Sequence, residues 1–188
     1  MPKKIIILAS GGGSNAENII RYFQHKAQVE VLGVWCNKRQ AGVYARAKKL
    51  KTPCFYFDAD DFSEILSFEK EHKPDLIVLA GFLRKIPIAL LQAYPQKIIN
   101  IHPALLPKYG GKGMYGMYVH RAVKQANEKE SGITIHYVNE HYDEGAVIRQ
   151  ESVELFTEDE PQDIAKKVLA LEHHLYPKVI EQLLFQHG

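Results

Sequence analysis

Five short apolar runs, each followed by a longer amphipathic one, constrain this chain more than any other feature. KIIIL at 4–8, VEVLGVW at 29–35, PCFYF at 53–57, DLIVLA at 75–80 and KIINIH at 97–102 are β-branched or aromatic, and continuous rather than alternating. Strands buried on both faces have that pattern. Between them ENIIRYFQH, AGVYARAKKL, FSEILSFEKEH and IPIALLQAY carry apolar residues at helical spacing. A βαβα order implies a parallel sheet with helices on both faces and right-handed crossovers.

The pattern then changes. SGITIHYV and AVIRQESVEL, joined by NEHYDEG, read as an antiparallel pair. A last helix is predicted from about Pro161 to Phe185, with Glu158 to Glu160 giving its start an acidic bias and Pro177 kinking or interrupting it. The predicted fold class is therefore α/β. A mostly parallel, Rossmann-like sheet is flanked by helices on both faces, with an antiparallel strand pair near the C-terminal third. No linker, repeat or low-complexity segment divides it, so residues 1–188 are read as one domain.

Composition narrows the function. With 24 basic and 22 acidic residues the net charge is +2, which gives no basic footprint for nucleic acid or a membrane surface. The apolar run in MPKKIIILAS is too short for a signal peptide or a span. Cys36 and Cys54 are the only cysteines, which points to a reducing, cytoplasmic setting without a disulfide framework. Neither has metal-ligand spacing. His120, His136, His141, His173 and His174 raise metal by number only, and read as solvated or core-satisfied side chains; no metal is expected.

Open parallel sheets bind ligands beyond the carboxyl ends of their strands, and three unusual stretches fall there. The first is ASGGGSNAE after strand one. Gly11 to Gly13 permit a tight turn and a close ligand approach, and the free N–H groups of the following helix favour a phosphate. Ser14 and Glu17 are spaced as a capping box for that helix. Gly11, Gly13 and Ala16 also fit the dinucleotide pattern G-x-G-x-x-A. No acidic residue follows at the ribose position; Lys38 and Arg39 stand there instead, so an NADP enzyme or a nucleotide-binding module stays open as the alternative.

The second stretch is IINIHPALLP. Asn100 and His102 leave the strand on one face, and Pro103 and Pro107 stiffen the exit. An amide donor beside a titratable imidazole can stabilise an oxyanion and move a proton. The third is NEHYDEG, where Asp143 lies in a connection that is otherwise an ordinary turn. A carboxylate brought to His102 would orient the ring and stabilise its charged form.

SGGGSN at 10–15, LAGFLRKI at 79–86, NIHPALLPKY at 100–109, GITIHYV with DEGAVI at 132–148 and LEHHLYP at 171–177 resemble, in this order, the phosphoribosylglycinamide formyltransferases. The N-x-H-P-x-L-L-P run is shared with methionyl-tRNA formyltransferases and formyltetrahydrofolate hydrolases; the glycine loop, LEHHLYP and the length narrow the likeness. The resemblance implies formyl transfer from 10-formyltetrahydrofolate, as co-substrate, to the amine of glycinamide ribonucleotide, with no metal. It implies catalytic roles for Asn100, His102 and Asp143. Gly13, Ser14 and Asn15 match the ribonucleotide phosphate loop, and Glu172 a carboxylate near the ribose and glycinamide. Leu83, Arg84, Lys85 and Ile86 match backbone around the pterin, with Asn139, Glu140, His141 and Tyr142 on its other side. The implied partners are small molecules only, for a monomer or homodimer. Two departures stand out. Position 104 is Ala where Ser is frequent, and KYGGKGMYGMYVH is a longer, glycine-richer loop, expected to form a lid with His120 in it. No arginine near Phe62 to Glu64 matches one that some members use near the folate tail.

Overall fold

The computed structural model describes residues 1–186. Among the described residues, seven strands form one sheet in the order β3-β2-β1-β4-β5-β6-β7. β1 (Lys3–Ala9), β2 (Val29–Cys36), β3 (Cys54–Tyr56), β4 (Leu76–Leu79) and β5 (Ile98–His102) run parallel. β6 (Glu130–Tyr137) and β7 (Val147–Glu154) continue the sheet antiparallel, as the change of pattern predicted.

Alternation divides the core in two. Ile5, Ile7, Ala9, Val78, Ile99, Ile101, Ile133 and Ile135 face one side, against α1 (Ser14–Phe23), α2 (Val43–Lys49), α5 (Met117–Gln125) and α6 (Pro161–Phe185). Ile6, Leu8, Ile77, Leu79 and Ile98 face the other, against α3 (Ser63–His72) and α4 (Ile88–Ala93). Both faces of the central strands are thus covered, which is why their sequences carry no polar alternation. α1 buries Ala16, Ile19, Ile20 and Phe23, a helical stripe at i, i+3, i+4 and i+7. Burying each of its larger side chains contributes roughly 1.5–3 kcal/mol.

Three details depart from the sequence expectations. The capping box on α1 does not form. Gly13 is the N-cap, in the left-handed region at φ 76°, and Glu17 turns away to Arg21 (2.7 Å) and Arg46. Those two cations win the carboxylate because a full charge binds it more strongly than one backbone N–H. Arg46 also donates from Nε to the Gly12 carbonyl at 2.8 Å, so α2 braces the glycine turn.

Pro177 does not interrupt α6, which runs unbroken for 25 residues. A proline leaves the carbonyl four residues earlier without its helical donor. Here that carbonyl belongs to His173, and Asn18 of α1 supplies the missing N–H from Nδ2 at 2.7 Å.

Finally, the end of KYGGKGMYGMYVH is helical. α5 begins at Met117 and buries Val119, His120 and Val123, a periodicity hidden by the glycines before it. The capping box that does form belongs to α6, between Glu160 and Asp163.

Candidate active site

The site opens where the strand order reverses, between β1 and β4, and extends along the end of β5. Three chain segments are knitted there. Ser10 donates its N–H to the Gly81 carbonyl (3.0 Å) and accepts at Oγ from the Leu83 N–H (3.1 Å). Tyr176 of α6, fully buried, donates its hydroxyl to the Leu79 carbonyl at 2.9 Å, fixing the end of β4. A cleft of about 740 Å³ lies above, with Asn15, Asn100, His102, His120, Asp143 and Glu172 in its walls.

β5 places Asn100 and His102. Ile99 and Ile101 are held in the core of one face, so Asn100 and His102 emerge together on the other. β6 stands directly opposite, pairing Asn100 with His136 and His102 with Thr134. Thr134 clamps the segment after His102. Its hydroxyl donates to the Ala104 carbonyl (2.7 Å) and accepts from the Leu106 N–H (3.0 Å).

Asp143 arrives from the β6–β7 connection. Its own backbone is left-handed at φ 58°. Gly145 passes so close to the Tyr137 carbonyl that a Cβ would overlap it. This tight return swings Asp143 back over β5. Asp143 Oδ2 lies 3.5 Å from His102 Nδ1 and accepts from the Gly111 N–H at 2.9 Å; its Oδ1 lies 3.6 Å from His136 Nε2. Burial pushes the Asp143 carboxyl up, but His102 and the Gly111 N–H hold it below the usual carboxylate range.

His102 is pulled two ways. Its Nε2 lies 2.8 Å from the Tyr109 carbonyl and its Nδ1 faces a carboxylate, so two acceptors favour the doubly protonated ring. Burial opposes them. Only 4% of the residue is exposed, and desolvation outweighs Asp143 and Tyr109 to leave the imidazole less basic than usual.

At the far side of the cleft Asn15 donates from Nδ2 to Glu172 Oε2 at 2.7 Å. Burial raises the Glu172 carboxyl to about 7, against the opposing pull of Asn15. Asn15 Oδ1 is buried with no partner among the described residues. Gly13 and Ser14 form the turn leading into Asn15, where the first N–H groups of α1 lack intrahelical acceptors.

The two segments matched to the pterin also meet. Arg84, Lys85 and Ile86 share a narrow pocket with Asn139, His141 and Tyr142. Leu83 lines the main cleft, while Glu140 lines an outer groove of about 840 Å³ that includes Asp60 and Arg84, themselves an ion pair. Arg39, set against a 2′-phosphate in the dinucleotide reading, lies instead over the Tyr56 ring at 3.6 Å.

Two histidines in the site are not among the expected site residues, although the expected lid includes His120. His136 touches Asn100 and faces Asp143, and His120 lines the cleft with its Nδ1 buried and unpartnered among the described residues. The signal for His136 was its place on a strand between the buried Ile135 and the half-buried Tyr137, in phase with Thr134. Among the described residues, no group of three or more His, Cys, Asp or Glu is placed to hold a metal ion, and no helix is long and apolar enough to cross a membrane.

The fold defines the class, an open Rossmann-like α/β sheet, and the amide, imidazole and carboxylate gathered at its carboxyl edge are groups able to stabilise an oxyanion and move a proton. Residues 3–180 match the family model described as formyl transferase, and the chain belongs to that family. Among its relatives, the chain is 40% identical over 190 residues to the phosphoribosylglycinamide formyltransferase of Bacillus subtilis, covering 97% of this chain and 95% of that one. It is 39% identical over 187 residues to the chloroplastic enzyme of the same name from Arabidopsis thaliana. The chain spans 64% of that plant relative's length and 61% of the one from Vigna unguiculata. The crystal structure of phosphoribosylglycinamide formyltransferase from Anaplasma phagocytophilum superposes with a TM-score of 0.88 at 32% identity, covering 98% of this chain and 88% of that one. The family resemblance read from the motifs is borne out.

Proposed function

We propose that the chain transfers the formyl group of 10-formyltetrahydrofolate to the primary amine of glycinamide ribonucleotide, as a single formyltransferase domain over residues 1–188. The observation that carries this reading is the meeting of four distant segments in one cleft. Asn100, His102 and Asp143 stand together at one wall, with the Asn15–Glu172 pair on the helices across from it.

In this reading the ribonucleotide phosphate sits on the turn Gly13–Ser14–Asn15, against the free N–H groups of α1. Glu172 faces the ribose and glycinamide. The pterin enters between Leu83–Ile86 and Asn139–Tyr142, which brings the formyl group to Asn100. The amine nitrogen attacks the formyl carbon and an oxyanion forms. Asn100 Nδ2–H donates to it, as does the His102 Nε2–H, for which the oxyanion competes with the Tyr109 carbonyl. The attacking nitrogen then loses a proton, the bond from the formyl carbon to the folate nitrogen breaks, and that nitrogen takes a proton. His102 and Asp143 carry the proton between them. The Asp143 carboxylate accepts it from the attacking nitrogen, and its charge supports the imidazolium form of His102 that donates to the oxyanion.

The test is a spectrophotometric assay with 10-formyl-5,8-dideazafolate, with and without glycinamide ribonucleotide. Turnover dependent on the ribonucleotide is expected. Turnover without it would replace this reading by a hydrolase, and no turnover in folded protein would overturn formyl transfer to this acceptor.

A further inference from the structure

The His136 ring has one fixed proton. Its Nδ1 lies 2.9 Å from the Tyr137 carbonyl, an acceptor with no hydrogen to give, so Nδ1 carries the hydrogen. In the neutral ring Nε2 is then a lone pair. Asn100 Nδ2 lies 3.2 Å from it and donates. Were the Asn100 amide turned over, its carbonyl oxygen would face that lone pair, and two acceptors would repel. The ring is rigidly seated. His136 is 2% exposed, stands opposite Asn100 on β6, and lies beside Gly145, where a Cβ would fall 3.5 Å from Nδ1. Asp143 Oδ1, at 3.6 Å from Nε2, is too far for a good hydrogen bond and does not take the place of Asn100.

We propose that His136 is a positioning residue that locks the Asn100 amide with its nitrogen toward β6 and the cleft. One Nδ2 hydrogen is held by His136. Among the described residues no group accepts the other, and Asn100 lines the cleft. That second hydrogen is the one offered to developing negative charge. Without the lock, the amide can present its oxygen, which repels an oxyanion. The inference rests on the formyl-transfer reading for what the amide meets, but not for how the amide is held.

Two substitutions separate this role from simple packing. In His136→Gln the side-chain Oε1 reaches the place of Nε2 and can accept from Asn100. In His136→Asn the side-chain amide can still donate to the Tyr137 carbonyl but reaches no further. The expected result is kcat within about threefold of wild type for His136→Gln. For His136→Asn a fall of about 100-fold is expected, as for loss of one oxyanion donor, with KM for both substrates little changed. Equal losses in both variants, or unchanged kcat in His136→Asn, would overturn the proposal.

A second measurement needs no substrate. In ¹⁵N-labelled protein, the Asn100 side-chain NH₂ pair, assigned by its loss in Asn100→Ser, is expected as two sharp, well-separated protons in wild type and His136→Gln. In His136→Asn the pair is expected to converge or broaden. A pair already averaged in wild type would sink the lock outright. Should His136→Asn not fold, the wild-type and His136→Gln spectra decide alone. A wild-type protein inactive in the formyl-transfer assay would overturn the catalytic reading while leaving this test of the amide intact.

Discussion

Asp143 faces His102 across 3.5 Å although 41 positions separate them in the chain, and Gly145 is what lets the loop between β6 and β7 turn tightly enough to bring them together. The carboxylate is mostly buried, and the N–H of Gly111 holds it from the other side. Replacing Asp143 by Asn keeps the shape and removes the charge. The expected outcome is a fall in kcat of about 100-fold or more, with ribonucleotide affinity by calorimetry unchanged. Full activity in Asp143→Asn would remove Asp143 from the reaction.

Gly145 itself offers a structural test of the same relationship. A methyl group there overlaps the Tyr137 carbonyl, so the loop carrying Asp143 must shift. Gly145→Ala is expected to lower stability by about 2–4 kcal/mol in denaturant titration, together with activity. A variant as stable and active as wild type would mean that the loop has room the geometry denies.

The Asn18–His173–Pro177 arrangement lends itself to a double-mutant cycle. Asn18→Ala leaves the His173 carbonyl without a donor, and a cost of about 1–3 kcal/mol is expected. Pro177→Ala restores a backbone N–H to that carbonyl. Apart from its own packing loss, the double variant should therefore lose much less from the Asn18 change. Identical costs of Asn18→Ala in both backgrounds, measured by chemical denaturation, would show that the amide does not stand in for the missing helical bond.

Protonation of Glu172 couples stability to pH. Its carboxyl is raised from 4.5 to about 7 in the fold. The stabilisation is complete below the unfolded value near 4.5 and is lost as pH rises toward 7. Over that window the wild type is expected to lose on the order of 3 kcal/mol relative to Glu172→Gln, whose side chain stays neutral. The buried imidazoles of His102 and His120 act in the opposite direction. Both are depressed, first by burial, so their contribution is complete above about 6.5 and fades as pH falls through their lower folded values. Comparing Glu172→Gln with wild type at each pH isolates the carboxyl, because the histidines are common to both. A stability difference that does not change between pH 4.5 and 7 would contradict the burial of that charge.

The sequence by itself determined the sheet, its parallel core and the place of the glycine turn. Those depend on the period of apolar residues, which is local: a strand covered on both faces must read as a run such as IIIL or LIVL, whatever surrounds it. Asn100 and His102 were legible for the same reason, since residues two apart on a strand share a face. The partners of those side chains were not. Glu17 sits at capping distance from Ser14 but binds Arg46, 29 positions away, and Pro177 ought to break a helix that Asn18 mends from 159 positions away. His136 read as an ordinary core histidine until β6 was laid against β5, opposite Asn100. Local pattern decides which elements form and which face each residue takes. Only the packing of elements distant in sequence decides which donor meets which acceptor, because a buried polar group is satisfied by whatever the fold brings within about 3 Å of it.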